Sequence, residues 1–386
     1  MEKAPFQVGG HVYPPYFVGR DKELEEIVRG ISTLSQNYLI IGPRRSGKSS
    51  LLANVESELV KRDLLVIAVN CIEATTCSEF FRIVVERALE AYEKKERVKG
   101  LLEIFKRSLR ESITGIIERV ERVGGSVEGI VKTYLSFRER EMDEHELAKR
   151  TFDFLDDFRV EKGLEIVLIL DEFQDLANFD GYLFRLMKSR ADRTKIRYIF
   201  SGSSISIIQQ VFLKPQSPLY LMATKLYLPP LETKKIKDYI SARLGLFGIE
   251  VDDPALEEIC RLVSGIPFYF QKMGDLCYRT AVLSGKRQID REDVKSAFAD
   301  MLREFSTEFE YRFETRFSPR QQAILKAMAI GRRRVSAIAK ELGLAVNVLG
   351  KDMRLLCDSL AIERLRRGEY EIVDWVFKSW LGDMIS

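Results

Sequence analysis

Residues 38 to 60, YLIIGPRRSGKSSLLANVESELV, constrain this chain more than any other stretch. Tyr38 to Ile41 read as a buried parallel strand, and Leu51, Leu52, Val55 and Leu59 recur at helical spacing beyond a glycine-rich loop. That loop, Gly42, Pro43, Arg44, Arg45, Ser46, Gly47, Lys48 and Ser49, matches G-x-x-x-x-G-K-S, and Ser50 carries it into the helix. Gly42 and Gly47 let the backbone curl until successive N–H groups converge on a phosphate, with the positive end of the helix behind them. Lys48 adds a mobile positive charge for the β- and γ-phosphates, and Ser49 offers a hydroxyl to the magnesium ion that bridges them. A chance glycine-lysine turn would not come framed by strand and helix, so the stretch predicts a nucleoside triphosphate bound with Mg2+.

With 386 residues and 46% hydrophobic content, the chain has material for two or three domains with ample cores. Lys and Arg number 61 against 58 Asp and Glu, so overall charge points to no class of partner and only local asymmetry can. The five cysteines include no C-x-x-C pair and only two histidines accompany them, which argues against structural zinc and suits reduced thiols. No apolar run reaches about 18 residues and MEKAPFQVGG lacks a signal-peptide core, so a cytoplasmic protein is expected.

Ahead of the phosphate loop, HVYPPYFVGR leads into DKELEEIVRGI, whose Leu24, Ile27, Val28 and Ile31 share one helical face. The residues alone leave that arm open between simple packing and contact with a nucleotide base. LLVIAVN reads as a second strand and SEFFRIVVERALEAYEKKERV as a helix; residues 99 to 150 read as an insertion. A helix carrying Leu147, Phe152, Leu155 and Phe158 then delivers the chain to EIVLILDEFQDL, where five apolar residues end in Asp171 and Glu172. Ligands of open parallel sheets sit at that carboxyl edge. Successive strand side chains diverge, so Asp171 is expected in the magnesium shell with Ser49, and Glu172 on the attacking water. A solvated strand end would also accept such a pair. KIRYIFSGSS is a fourth strand, and Ser203 at its end is the preferred sensor of the γ-phosphate, although a plain turn uses the same residues. TKLYLPPL closes the layer at Pro229 and Pro230.

From Leu231 the pattern is helical only, a separate lid subdomain in which Pro267 starts the third helix. The last 70 or so residues offer three helices and a hairpin, the outline of a winged helix-turn-helix. From Phe317 onward twelve Lys or Arg stand against eight Asp or Glu, with clusters at Arg332, Arg333, Arg334 and at Arg364, Arg366, Arg367. Such a module can place its third helix in a major groove, or hold a protein partner or an inhibited state. The expected fold is therefore an α/β five-stranded parallel sheet at 1–230, a helical lid at 231–312 and a winged helix at 313–386.

In their order, PYFVGRDKEL, IIGPRRSGKSSLL, LILDEFQDL, YIFSGSSIS, SPLY and SGIPFYFQ make the chain resemble the archaeal ATPase family, a STAND-like branch of the AAA+ class, over nearly its whole length. The resemblance implies that Phe17, Val18, Gly19 and Arg20 line the adenine pocket and that Pro267 touches the nucleotide from the lid. It departs in one respect. Such ATPases usually carry an arginine near the fourth helix or fifth strand, whereas LKPQSPLYLMATKLYL has only Lys214 and Lys225, with Arg190 and Arg193 upstream as stand-ins. An arginine finger is worth about 10³ to 10⁵ in rate, so slow turnover is expected without a partner.

The resulting expectation is an ATP-binding, ATP-hydrolysing protein that uses Lys48, Ser49, Asp171 and Glu172 and couples ATP or ADP to movement of the lid and winged helix. No guanine-reading N-K-x-D follows the loop, which favours adenine. Two alternatives stay open. One is a nucleotide-gated protein that binds duplex DNA, as in the similar architecture of archaeal initiators and transposition helpers; the other is a protein-interaction switch or homo-oligomer.

Overall fold

The structure, a computed structural model, describes residues 4–97, 143–179, 181–203 and 205–385. Most of the expected insertion lies outside them. Strands β1 (Tyr38–Ile41), β2 (Leu65–Asn70), β3 (Ile166–Asp171), β4 (Arg197–Gly202) and β5 (Thr224–Tyr227) form a parallel sheet in the order β2-β3-β4-β1-β5. The inner strands are short unbroken apolar runs because helices cover both faces. Leu39, Ile41, Leu168 and Leu170 point into a core shared with α3 (Cys77–Glu96), α4 (Glu144–Lys162) and α5 (Tyr182–Thr194). Their neighbours Tyr38, Ile40, Val167 and Ile169 point the other way, onto α1 (Asp21–Leu34) and α2 (Lys48–Lys61). With β1 between β4 and β5, and β3 beside β4, the phosphate loop, Asp171, Glu172 and Ser203 all emerge at one edge of the sheet.

A short helix, α6 (Ile205–Ile208), follows β4. The lid contains α7 (Thr233–Gly245), α8 (Asp253–Val263), α9 (Pro267–Ser284) and α10 (Arg291–Arg316). It is not purely helical: β6 (Glu250–Val251) and β7 (Gln288–Ile289) pair in parallel. The terminal unit follows as α11 (Pro319–Ala329), α12 (Val335–Glu341), α13 (Gly350–Asp358), an antiparallel hairpin β8 (Ile362–Arg366) and β9 (Glu369–Ile372), and α14 (Trp375–Ile385).

Helix α10 runs through residues 312 and 313 without a break and belongs to both units. Its Phe309 and Phe313 pack on Phe377 and Trp380 of α14, with ring centroids 5.4 to 6.4 Å apart. The buried side chains of lid and terminal unit accordingly make one continuous apolar core. Contacts of this kind contribute beyond their buried area. The terminal unit also reaches back, because α13 packs against α6 of the sheet domain.

Phe309 is fully buried at the centre of this shared core. Phe309→Ala is expected to cost about 3–5 kcal/mol. Both tryptophans of the chain, Trp375 and Trp380, sit in the terminal unit, so urea unfolding followed by their fluorescence should show the midpoint fall. An unshifted tryptophan midpoint would mean that the two units are stabilised separately.

Candidate nucleotide site

The loop after β1 closes around its own lysine. Lys48 is only 4% exposed, and its Nζ donates to the carbonyl oxygens of Gly42 and Pro43, both at 3.0 Å. Burial lowers its pKa, Glu172 and Asp171 pull it back up, and Arg44 pushes it further down. Gly47 caps α2 at φ +88°, a conformation costly for other residues, and a Cβ there would lie 3.5 Å from the Pro267 ring. The lid proline thus rests directly on the phosphate loop.

The two acids at the end of β3 take different directions. Asp171 accepts hydrogen bonds at Oδ1 from the Ser201 hydroxyl (2.6 Å) and the Glu172 N–H (3.0 Å). Glu172 adopts a left-handed backbone, φ 50°, which costs roughly 1–2 kcal/mol for a residue with a Cβ. As a result Asp171 and Ser49 line a cleft along β2, while Glu172 lines the cavity beneath the lid. Glu172 Oε2 accepts from Gln174 Nε2 (2.5 Å) and from the Ser203 hydroxyl (3.3 Å). Ser203 therefore positions Glu172, and Ser201, a less favoured hydroxyl of the same strand end, orients Asp171.

The cavity beneath the lid measures about 290 Å³. Arg44, Arg45, Gly47, Lys48, Ser49 and Ser50 form its floor, Phe17, Val18 and Arg20 one side, and Pro267 its roof. Gly42, Pro43 and Ser46 instead face a second cleft shared with Pro229 and Gly265. Gly19 packs on Leu231. Arg20, although it touches the cavity, is 2% exposed and acts as a clamp: it donates to Glu23 Oε1 (3.0 Å), the Ser46 carbonyl (3.3 Å) and the Pro229 carbonyl (2.6 Å). The N-terminal arm is a wall that sequence periodicity did not delimit. Val12 donates to Ser50 Oγ (3.2 Å) and accepts from Asn54 (2.8 Å), Gln271 donates to the Tyr16 carbonyl (2.8 Å), and Phe6 is buried in the lid core. Gly9 and Gly10, both at positive φ, let the arm pass along the cavity; an adjacent glycine pair was the available signal.

Arg45 does more than complete the loop. Its guanidinium lies 4.7 to 5.6 Å from the ring centres of Phe268, Tyr269, Phe305 and Phe309, donates to the Tyr269 hydroxyl (2.7 Å) and meets Glu308 Oε2 (2.5 Å). The Tyr269 hydroxyl donates onward to Asp374 Oδ2 (2.7 Å), just before α14. Phosphate loop, lid and terminal unit are joined by consecutive hydrogen bonds.

Elsewhere, Arg190 pairs with Asp153 at 2.6 Å within the helical layer, and Arg193 is exposed at the end of α5; neither lines the cavity. In the terminal unit Arg332, Arg333 and Arg366 pair with Glu341, Glu371 and Glu369. Arg334 lies on the hairpin's edge against Glu369, and Arg364 and Arg367 are exposed on the hairpin. Much of the basic surplus is thus balanced locally.

Arg45→Ala should cost about 2 kcal/mol from the lost cation–π and charged hydrogen bonds, read as a lower unfolding midpoint. Arg45→Lys should recover little, because an ammonium cannot meet Tyr269 and Glu308 together while stacking on four rings. Full rescue by lysine would reduce the contact to simple charge.

Among the described residues no helix is long and apolar enough to cross a membrane. Comparison with known proteins agrees with the geometry. The family model of an ATPase domain predominantly from Archaea matches residues 17–273. An uncharacterised protein of Methanocaldococcus jannaschii is 26% identical over 243 residues, 59% of this chain, and the chain spans about half the length of that relative. Among solved structures, a Walker-type ATPase of Pyrococcus abyssi superposes with a TM-score of 0.70 at 21% identity, covering 98% of this chain and 99% of that one. The ORC2 protein of Aeropyrum pernix, solved as ADPNP–ADP complexes, gives 0.61 at 14% identity, with 98% of each chain covered. With its phosphate loop, strand-end acids and parallel sheet, the chain belongs to the family of ATPase domains found predominantly in Archaea.

Proposed function

We propose that the protein is a cytoplasmic, nucleotide-operated switch that binds ATP with Mg2+ and hydrolyses it slowly. The observation that carries this reading is the Arg45–Tyr269–Asp374 relay, because it bonds the phosphate loop to the lid and the terminal unit. Lys48 and the loop amides would hold the phosphates, with Phe17 and Val18 against the base. Ser49 and Asp171 line one cleft and present the hard oxygen donors that Mg2+ prefers, so they fit that ion. Bound there, the ion would neutralise charge on the phosphates. Glu172, held by Gln174 and Ser203, would orient the attacking water. Lid and terminal unit share one core, so they would move as one body when the loop changes its occupant, which requires only a few kcal/mol of differential affinity.

Glu172→Gln is expected to lower steady-state ATP turnover at least 10²-fold with nucleotide affinity preserved, and Lys48→Ala to weaken binding itself. Turnover unchanged by Glu172→Gln would sink the water-orienting role.

Duplex DNA is the second reading, favoured by the exposed Arg364 and Arg367 on the hairpin. Replacing Arg364, Arg366 and Arg367 together should weaken duplex binding and flatten its salt dependence, and an unchanged slope would remove the hairpin from that interface. The balanced pairs and the packing of α13 on α6 weigh against a freely available reading helix in this arrangement. A protein partner is then the more natural activator.

A further inference from the structure

Among the described residues, no arginine on the helices of the sheet domain lines a cleft with Glu172, and Arg190 is held by Asp153. Two arginines reach the same place from α10. Arg312 and Arg316 stand one turn apart on that helix. Both line, with Glu172, Gln174 and Ser203, a cleft of about 670 Å³. Arg312, Arg44 and Glu172 also line the cavity of Lys48, Ser49 and Pro267, so they mark the junction between the two spaces. A nucleotide whose inner phosphates lie on the loop amides would present its outer phosphate toward that junction.

The charges there are incompletely matched. Arg316 is exposed and, among the described residues, has no carboxylate at ion-pair distance. Exposed as the residue is, the partial desolvation of its guanidinium together with the charges of Arg44 and Arg312 lowers its pKa, against the pull of Glu172 and Asp175. Arg312 is 14% exposed and lies 4.9 Å from the Phe377 ring centre. Its carboxylate partner, Asp374 Oδ2, is 3.5 Å away, a long contact, and already accepts the Tyr269 hydroxyl at 2.7 Å. Crowded like charges with a weakly engaged carboxylate favour the arrival of a polyphosphate anion.

We infer that Arg312 and Arg316 are ligands of the terminal phosphate, supplied in cis by the helix shared between lid and terminal unit, and that Asp374 competes with this phosphate for Arg312. The inference rests on the ATP-site reading above. It makes the distinction between triphosphate and diphosphate a property of residues outside the sheet domain, and it gives the terminal unit a direct hold on the arginine that hydrolysis needs.

The test is fluorescence titration with ADP and with a non-hydrolysable ATP analogue in Mg2+, alongside single-turnover hydrolysis. The Arg312→Ala, Arg316→Ala double variant should keep ADP affinity within about twofold, lose at least tenfold in preference for the triphosphate, and turn over about 10²-fold or more slowly. Asp374→Asn retains an acceptor for Tyr269 but no charge for Arg312, and should raise triphosphate affinity several-fold. A double variant with the wild-type affinity ratio overturns the proposal, as does an equal loss for both nucleotides in a protein with unchanged melting. Should the double variant fail to fold, Arg316→Ala alone, at an exposed position without an ion pair, reads the same ratio. The ATP-site reading fails separately, if Lys48→Ala binds both nucleotides as the wild type does.

Discussion

One guanidinium ties the phosphate loop to the lid and, through Tyr269, to the terminal unit. Arg45 belongs to the phosphate loop by sequence and to the lid by packing, because its cation sits among four aromatic rings contributed by α9 and α10. Burial alone would lower its pKa, but Tyr269, Glu308 and Asp374 outweigh that and hold it above its usual value. It remains charged at any relevant pH. Burial and Asp374 raise the Tyr269 hydroxyl well above its ordinary pKa, against the downward pull of Arg45, so the relay keeps a neutral tyrosine that accepts from one side and donates to the other. The contact ties the loop's backbone to residues near the chain's far end.

The site stores strain where the chemistry is expected. Glu172 pays the backbone cost of a left-handed residue, and two neighbours pin its carboxylate. That combination separates it from Asp171 although the two are adjacent, giving one acid to each of two clefts. Gly265, at φ +71°, avoids such strain: a Cβ there would approach Pro230 Cβ to 2.6 Å, so only glycine lets the turn before Pro267 close against the end of the sheet.

What the sequence disclosed was local. The framed glycine loop, the apolar run ending in Asp171 and Glu172, and the helical periodicities each need only a dozen neighbouring residues to be read, and the parallel sheet they predict is the one the structure has. Partners far along the chain stayed hidden. Nothing at Arg45 announces Phe268, Phe305 or Glu308, and nothing at Arg20 announces that its guanidinium will close on the carbonyl of Pro229. Of the serines near the end of β4, the inward Ser201 bonds Asp171 while Ser203 bonds Glu172, a difference set by strand alternation and by the acids' backbone rather than by residue type. The boundary expected between residues 312 and 313 falls inside a continuous helix with apolar residues on two faces, which joins the two units.

The strand order also governs when the site can come into being during synthesis. Tyr38 of β1 finds its sheet neighbours in Ile199 and Thr224, not in the strand that follows it. Until those residues have left the ribosome, the glycine loop hangs from a strand with no lateral support, and its amides cannot converge. Such late closure is slow and leaves apolar edges exposed to association. A nascent chain of this kind gains nucleotide binding only near the end of translation of its sheet domain, and nucleotide present at that moment would favour the closed product by mass action.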